Sequence, residues 1–283
     1  MRQLVTCNGH TQFAYPARRL QCIHCGNVLS ELDTEGTICD WCDHEYPVRD
    51  ALWHARGPLS GKNRIAADFY DGPRWQAFRP WEQLFLKVNG GLPGARKQIL
   101  KHLRLPPAGS LLEVGIGDGE NVVLLPTSLR ISGVDIAVRP LSDCRDRHRG
   151  RGLFLALAEG EHLPFTDNTF DAALCVGGFN FFSDPYRGIA EMARVVKPGG
   201  SIVVADEVPN LHDFGWGHMV GLPQFDIWLM KRFWFGPEFT AMVLENRLNV
   251  RDVAQSALIQ PRIHAIWRGL GYCIVGTPRK VRT

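Results

Sequence analysis

No apolar run in this 283-residue chain approaches the ~18 residues of a membrane-spanning helix, so no membrane span is expected. The opening Met-Arg-Gln-Leu-Val-Thr-Cys lacks the apolar stretch of a signal peptide, which makes the cytoplasm the expected compartment. There the eight cysteines are not expected to pair as disulfides. No internal repeat and no low-complexity segment is visible, which sets aside repeat arrays and biased linkers. A large charge imbalance is missing too: the formal net charge is +3, too small to argue for nucleic acid. The charge is unevenly spread, with five Arg/Lys against seven Asp/Glu in residues 1–60 and nine against three in 61–110. The basic segment reads either as a face for an anionic partner or as an ordinary solvated helix face. With 45% hydrophobic and 22% charged residues, the composition is that of a globular protein long enough for about two domains.

What is present centres on residues 110–121, Ser-Leu-Leu-Glu-Val-Gly-Ile-Gly-Asp-Gly-Glu-Asn. A short apolar run reads as a buried strand, and Gly115, Gly117 and Gly119 turn the chain into a helix beginning near Glu120. Glycine lets backbone approach a ligand with no Cβ in the way, and a helix N-terminus offers free N–H groups. The glycines alone would also suit a dinucleotide, but the spacing is G-x-G-x-G and the dinucleotide fingerprint G-x-G-x-x-G is absent. Glu113 would repel a pyrophosphate and suit a ligand with an amino-acid end. A second strand, Ile131 to Asp135, also ends in an acid, placed to take both hydroxyls of a ribose. Ala-Glu-Gly-Glu-His-Leu-Pro-Phe-Thr-Asp-Asn-Thr-Phe-Asp follows at 158–171, and Glu-Met-Ala-Arg-Val-Val-Lys-Pro-Gly-Gly-Ser-Ile-Val-Val-Ala-Asp at 191–206.

With these four motifs in order, the chain resembles the class I S-adenosylmethionine-dependent methyltransferases, most of all the ubiquinone and menaquinone C-methyltransferase branch. The resemblance covers residues 65–206 well and the C-terminal part loosely. It implies an α/β fold, a Rossmann-like, mostly parallel seven-stranded sheet. It also implies that Glu113, Gly115, Gly117 and Gly119 hold the methionine part of S-adenosyl-L-methionine, and that Asp135 takes the ribose. Glu159 stands where the family usually carries Asp, beside the adenine amino group.

Ahead of this domain lies a second strong signal. Cys22-Ile-His-Cys25 and Cys39-Asp-Trp-Cys42 are two C-x-x-C knuckles thirteen residues apart, with Asn27 to Ile38 able to form a hairpin between them. Four thiolates in a closed tetrahedral set suit a structural Zn²⁺; an unfilled redox dithiol pair is the alternative. His24 and His44 read as neighbours of the ligands, and Cys7 with His10 as an incidental C-x-x-H. Leu20 to Trp53, with Glu-Tyr-Pro-Val-Arg-Asp after the last cysteine, resembles the small zinc-ribbon protein that activates transfer-RNA and protein methyltransferases. That family follows its Asp with Gly, where Ala51 stands here. A ribbon of ~40 residues has too little core to fold without the metal. The expected division is a zinc-ribbon module at 1–56 and a methyltransferase domain at 57–283.

Elsewhere, 56–61 reads as a linker, Tyr70-Asp71 precedes a stop at Gly72-Pro73, and helices are expected at 81–88 and 95–103. Strands are expected at 110–114, 131–135, 153–157, 171–176 and 200–206, and helices near 119–126, 138–147 and 185–196. A closing hairpin is expected at 262–268 and 271–277. Residues 207–261 carry Phe214, Trp216, Phe225, Trp228, Phe233, Trp234, Phe235 and Phe239. They read as a cap over an acceptor pocket, as packing against their own sheet, or as a dimer surface. The oligomeric state is not legible.

Methyl transfer from S-adenosylmethionine is an in-line displacement, so the protein mainly aligns the acceptor and excludes water. If the acceptor must lose a proton, His212, His218, Asp206 and Glu207 are the candidate bases. The Cys-Val-Gly-Gly-Phe segment at 175–179 lacks the Asn/Asp-Pro-Pro-aromatic signature of nucleic-acid amino-methyltransferases. That counts against amine methylation of a nucleobase and leaves ring or ribose methylation open. The branch resemblance and the aromatic insert make a small, largely apolar molecule the expected acceptor. RNA or protein is the alternative substrate, suggested by the ribbon and the basic segment; some ribosomal-RNA methyltransferases join a four-cysteine zinc site to this fold. A cofactor-binding scaffold without turnover is the outsider.

Overall fold

The computed structural model describes residues 4–7, 10–13, 19–30, 32–209 and 221–280. Two strands, β1 (Leu4–Cys7) and β2 (His10–Phe13), form a separate antiparallel pair that sets Cys7 opposite His10. The main sheet begins with three short strands, β3 (Gly36–Ile38), β4 (Glu45–Arg49) and β5 (Leu52–His54). Asp50 and Ala51 alone join β4 to β5, and both have positive φ, 49° and 57°. That is the backbone of a two-residue hairpin turn, which favours Asn, Asp or Gly. Ala51 therefore sits in a conformation that glycine would adopt without strain.

Three helices follow: α1 (Gly61–Asp71), α2 (Pro73–Val88) and α3 (Gly91–Leu100). The break between α1 and α2 is local chemistry. Gly72 is extended and Pro73 takes the first helical position, where its missing N–H costs nothing. The central strands are β6 (Ser110–Val114), β7 (Arg130–Asp135), β8 (Phe154–Leu157), β9 (Phe170–Val176) and β10 (Val196–Glu207). Helices α4 (Val138–Arg147) and α5 (Pro185–Val195) cross between them. Asp184 caps α5 by accepting from the Arg187 N–H. After β10 come α6 (Pro223–Leu229), a π-helical turn at Met230–Trp234, α7 (Pro237–Glu245) and α8 (Val250–Ala257). The hairpin β11 (Leu258–Ile266) and β12 (Gly271–Pro278) closes the sheet.

The strand order is β11-β12-β10-β9-β6-β7-β8-β5-β4-β3, ten strands rather than the expected seven. The seven are there, from β11 to β8. The other three come from the cysteine-bearing segment, whose β5 pairs in parallel with β8 through Trp53 opposite Ala156 and His54 opposite Leu157. A bare β8 would expose a row of unpaired backbone groups, and β5 covers that edge. The five strands β6 to β10 are all paired in parallel, so the sheet is mixed α/β with a parallel centre.

Both faces are covered, which is why β6 is buried along its whole length and carries Leu111, Leu112 and Val114. Leu112, Val114, Val134 and Ala173 face one core and Leu111, Ile131, Ala172 and Leu174 the other, the period of two expected of strands. The first core also holds Leu20, Leu29, Tyr46 and Trp53, so the cysteine segment has no core of its own and shares that of the sheet.

Two further expectations change. Asn27 to Ile38 does not form a hairpin; β3 pairs with β4 across the second knuckle instead. Near 119–126 only a single 3₁₀ turn forms, Val122–Leu124. Pro126 follows at once, and proline cannot continue a helix. Among the described residues, no helix is long and apolar enough to cross a membrane.

Candidate functional site

The carboxyl ends of β6, β7 and β9 meet where the strand order reverses, and a crevice opens there. Val114 leads into Gly115 and Gly117, with φ of 70° and 56°, and the crevice runs past both. A Cβ on either glycine would meet nothing within 4 Å, so these positions leave open space for a ligand. The loop is pinned from below by Gly115 and Ile116 N–H groups donating to the Val134 carbonyl.

Gly119 differs. It does not line the crevice, and a Cβ there would stand 2.7 Å from Cys144 Sγ and from the His148 ring. Its φ of 78° serves the packing of the loop on α4, which the sequence pattern could not separate from ligand approach. Gly119→Ala is therefore expected to destabilise the fold by about 2–4 kcal/mol, from the left-handed backbone and the overlap together. Gly117→Ala should weaken cofactor binding with a smaller stability loss. Denaturant unfolding and calorimetric titration separate the two outcomes.

Two buried carboxyls face the crevice. Glu113 is nearly inaccessible; one oxygen accepts from Asn121 Nδ2, and Oε2 has no hydrogen-bond partner among the described residues. Burial holds this carboxyl up at about 7. A buried carboxyl oxygen without a donor is costly, and an ammonium group entering the crevice would satisfy it. Asp135 ends β7 and accepts from Gly117 N at 2.8 Å and Ala137 N at 2.9 Å. Burial raises it to about 6 against these donors. A carboxylate has about four lone-pair directions, so capacity remains for a ligand beside these backbone donors.

Glu159 stands at the end of β8 beside the crevice, where its Oε2 accepts from Asn63 Nδ2 at 2.8 Å. Ala158, Gly160 and Glu161 line the crevice around it. Asn63 is the pin of this corner. It also donates to Glu161, and its Oδ1 accepts from Ser183 N, tying the start of α1 to the loop after β9. The sequence reading missed Asn63 and Glu161 as site residues. Their signal is spatial, since 98 positions separate them.

The far wall comes from α2 and α3. Arg79 binds Asp118 at 2.6 Å and Glu120 at 3.0 Å, and Arg96 binds Glu120 at 3.0 Å. The basic segment at 61–110 thus spends two of its cations on the acids of the glycine loop. Glu82, also unforeseen, lines the same wall, and burial with the nearby Glu120 charge pushes it to about 7. Nothing marks Glu82 in the sequence, because a lone acid on a helix has no motif.

Of the candidate bases, Asp206 is fully buried beneath the loop after β9, accepting from Asn180 N and Glu207 N, and does not line the crevice. It holds that loop in place. Glu207 continues β10, outside the lining, and gives its carbonyl to Asn180 Nδ2. His212 and His218, with Phe214 and Trp216, lie outside the described residues. Residues 221–261 do not line the crevice either. Phe239 stacks on Phe69 at 4.1 Å and meets Phe181 at 4.9 Å, and Phe235 meets Phe78 at 4.8 Å. This part of the insert buttresses α1 and α2, which supply Asn63, Tyr70, Trp75, Arg79 and Glu82 to the crevice.

Cys22, Cys25, Cys39 and Cys42 converge, with all four Sγ atoms within 4.8 Å of one another. The two knuckles repeat one geometry. Gly26 N donates to Cys22 O and Asp43 N to Cys39 O, both at 2.9 Å, with φ of 79° and 55° at the donors. The closest sulfurs belong to different knuckles, Cys22 with Cys42 and Cys25 with Cys39, each 3.6 Å apart. A tetrahedron with Zn–S of ~2.3 Å has edges of about 3.8 Å, so the donor set fits a zinc ion. Tyr46 OH lies 3.0 Å from Cys22 Sγ, and the His24 and His44 rings stack beside the cluster rather than in it.

Comparison with known proteins agrees with this geometry. Residues 112–204 match the family model described as a methyltransferase domain. The chain is 32% identical over 154 residues to the demethylmenaquinone methyltransferase of Corynebacterium kroppenstedtii, covering 54% of this chain and 64% of that protein. It is 34% identical over 129 residues to the ubiquinone/menaquinone biosynthesis C-methyltransferase UbiE of a Geobacter species, covering 42% and 54%. It is also 34% identical over 109 residues to the phthiotriol/phenolphthiotriol dimycocerosates methyltransferase of Mycobacterium tuberculosis, covering 38% and 40%. The matches therefore span less than two thirds of each relative's length. Among solved structures, a chain of the Haloferax volcanii complex containing the Trm112 methyltransferase activator superposes with a TM-score of 0.51 at 17% identity, covering 79% of this chain and all of that one. An N-methyltransferase of Haemonchus contortus, in complex with phosphomonomethylethanolamine and S-adenosylhomocysteine, gives 0.53 at 11%, covering 78% and 61%. The ten-stranded sheet is thus built on the Rossmann-like methyltransferase fold, and its segment 112–204 matches the methyltransferase-domain family.

Proposed function

We propose that this chain transfers a methyl group from S-adenosyl-L-methionine to a small, largely apolar organic acceptor. The observation that carries the cofactor is the buried, unpartnered Glu113 Oε2 beside the open glycines. Glu113 would take the ammonium of the methionine end, Gly115 and Gly117 would let the chain of the cofactor pass, and Asp135 would accept from the ribose hydroxyls. Glu159 would stand at the adenine. Gly119 keeps the loop in shape. The cofactor supplies an activated sulfonium methyl; the protein's own work is to hold the acceptor in line and keep water out.

The aromatic wall supports an apolar acceptor. Tyr70, Trp75, Phe181 and Phe182 line the crevice, and two of the relatives named above are, by their names, methyltransferases of demethylmenaquinone and of phthiotriol/phenolphthiotriol dimycocerosates. The crevice itself offers an RNA no free cation at Arg79 or Arg96, which are committed to ion pairs in its wall, although Arg74, Lys87, Lys97, Lys101 and Arg104 stay exposed outside it. We take the domains to divide at residue 56, with one structural zinc on Cys22, Cys25, Cys39 and Cys42. The module would then act in cis, whereas the activator of the Haloferax complex is a chain separate from its methyltransferase. The insert 207–261 serves as an outer cap whose described part supports α1 and α2. A screen of small-molecule extract and total RNA with labelled methyl donor tests the acceptor. Label appearing only in RNA or protein would refute a small-molecule acceptor, and none at all would refute turnover.

The Glu113 value gives a pH prediction. An unfolded Glu titrates near ~4.3, so its folded value of about 7 is raised. Protonation thus favours the ligand-free fold, and that contribution is lost as pH rises through about 7. Binding an ammonium needs the ionised form. Affinity for S-adenosylhomocysteine is expected to rise from about pH 6 to about pH 8, and Glu113→Gln to remove most of that rise. Calorimetric titration across this range checks it; an unchanged slope in the variant would rule Glu113 out as the ammonium acceptor.

A further inference from the structure

One cation of the N-terminal module stands beside the strand ends that open the crevice, just outside its lining. Strand β5 ends at His54, Ala55 N continues the ladder by donating to Leu157 O, and Ala158 N in turn donates to Asp135 O. The ladder from the module to the ribose-side acid is therefore unbroken, and Arg56 is the next residue along it. Arg56 is half-buried. Its Nε is inaccessible and has no hydrogen-bond partner among the described residues, and Nη1 reaches only the carbonyl of Gly57 at 3.3 Å. Burial draws its pKa down, opposed by the charges of Asp71, Glu159 and Asp135. No ion pair engages it among the described residues, although three carboxylates share its surroundings. A guanidinium whose buried Nε has no acceptor among the described residues is unfavourable in the ligand-free fold.

The chemistry of the adenosine end explains what it is for. Asp135 and Glu159 can only accept hydrogen bonds while ionised. The ring nitrogens of a purine and the oxygens of its ribose also need donors, and a guanidinium offers five in a fixed plane. We infer that Arg56, supplied by the N-terminal module, is a binding residue for the purine nucleoside end of the ligand, donating to it between Asp135 and Glu159. This rests on the reading that the crevice takes S-adenosylmethionine. The module is then part of the cofactor site. Packed rings tie the cysteine cluster to the strand beside it: Tyr46, beside Cys22 Sγ, meets Trp53 at 5.8 Å, and Trp53 meets Phe154 on β8 at 5.9 Å.

The test uses the full chain and S-adenosylhomocysteine as the probe, with affinity measured by calorimetry and unfolding temperature measured without ligand. Arg56→Met should bind ten- to a hundredfold more weakly, the range for a lost charge-assisted bond. Arg56→Lys should fall between, since it keeps the charge without the planar fork. Arg49→Gln, at an exposed position of the same module, should bind as wild type. Arg56→Met should unfold at or above the wild-type temperature, because an unpaired buried cation is gone. A merely structural arginine would give the opposite sign. Wild-type affinity in Arg56→Met, or weakening that only accompanies a lower unfolding temperature, would overturn the inference while leaving the methyltransferase reading intact. Failure of the wild-type chain to bind the probe would overturn both.

Discussion

Replacing Cys39 with alanine is expected to strip the chain of one zinc ion and to lower its unfolding temperature by roughly 10–20 °C. The reasoning starts from the shared core. Leu20, Leu29, Tyr46 and Trp53 are buried against the sheet, yet the segment that carries them has little regular structure: three strands of three to five residues. Its shape comes from the two knuckles. Structural zinc contributes ~10–16 kcal/mol in zinc-finger peptides, where the metal is the whole reason to fold. Here the sheet supports the segment as well, so about 5 kcal/mol is a reasonable share to lose. For a chain of this size 1 kcal/mol moves the transition by ~2–4 °C. The damage should spread to β8, whose edge β5 covers. Metal analysis of protein purified without added zinc should return one ion per chain for wild type and none for Cys39→Ala. A full metal content in the variant, or an unfolding temperature indifferent to a chelator, would contradict the zinc assignment.

The second large effect belongs to Asp135. Asp135→Ala should weaken S-adenosylmethionine binding by a hundredfold or more. Two charge-assisted bonds to ribose hydroxyls are worth ~1.5–3 kcal/mol each, and 1.4 kcal/mol is a factor of ten. The structure adds a second cause. The same carboxylate accepts from Gly117 N and Ala137 N, so alanine also releases the glycine loop and the entry to α4. Asp135→Asn separates these causes. Its amide oxygen can still hold one backbone N–H, so the loop keeps part of its anchor while the charge is lost. Asn should therefore bind more tightly than Ala and less tightly than wild type. Titration calorimetry on folded variants decides it, and wild-type affinity in Asp135→Ala would remove the cofactor from this crevice.

Much of the centre was legible because its signals are local. Ser110–Val114 is buried on both faces, and a short run with Leu111, Leu112 and Val114 before three alternate glycines says so in one line of sequence. Strand ends at Val114 and Asp135 and the helices at 138–147 and 185–195 fell within a residue or two of expectation, since their breakers adjoin them. The helix near 119–126 failed for an equally local reason: Pro126 closes it after one 3₁₀ turn.

By itself, then, the sequence determined the alternating strands and helices, the glycine loop with its two acids, and the grouping of four cysteines, because spacing along the chain fixes each of them. Only the tertiary structure decided which side chains share the crevice. Asn63 meets Glu161 across 98 residues, and Arg79 reaches Glu120 across 41, distances no periodicity can encode. It decided that Gly119 serves packing while Gly115 and Gly117 face open space, although all three have positive φ. It also decided that the cysteine segment extends the sheet instead of standing apart. A strand edge is satisfied by whatever chain lies beside it, and that neighbour is chosen by the folded whole.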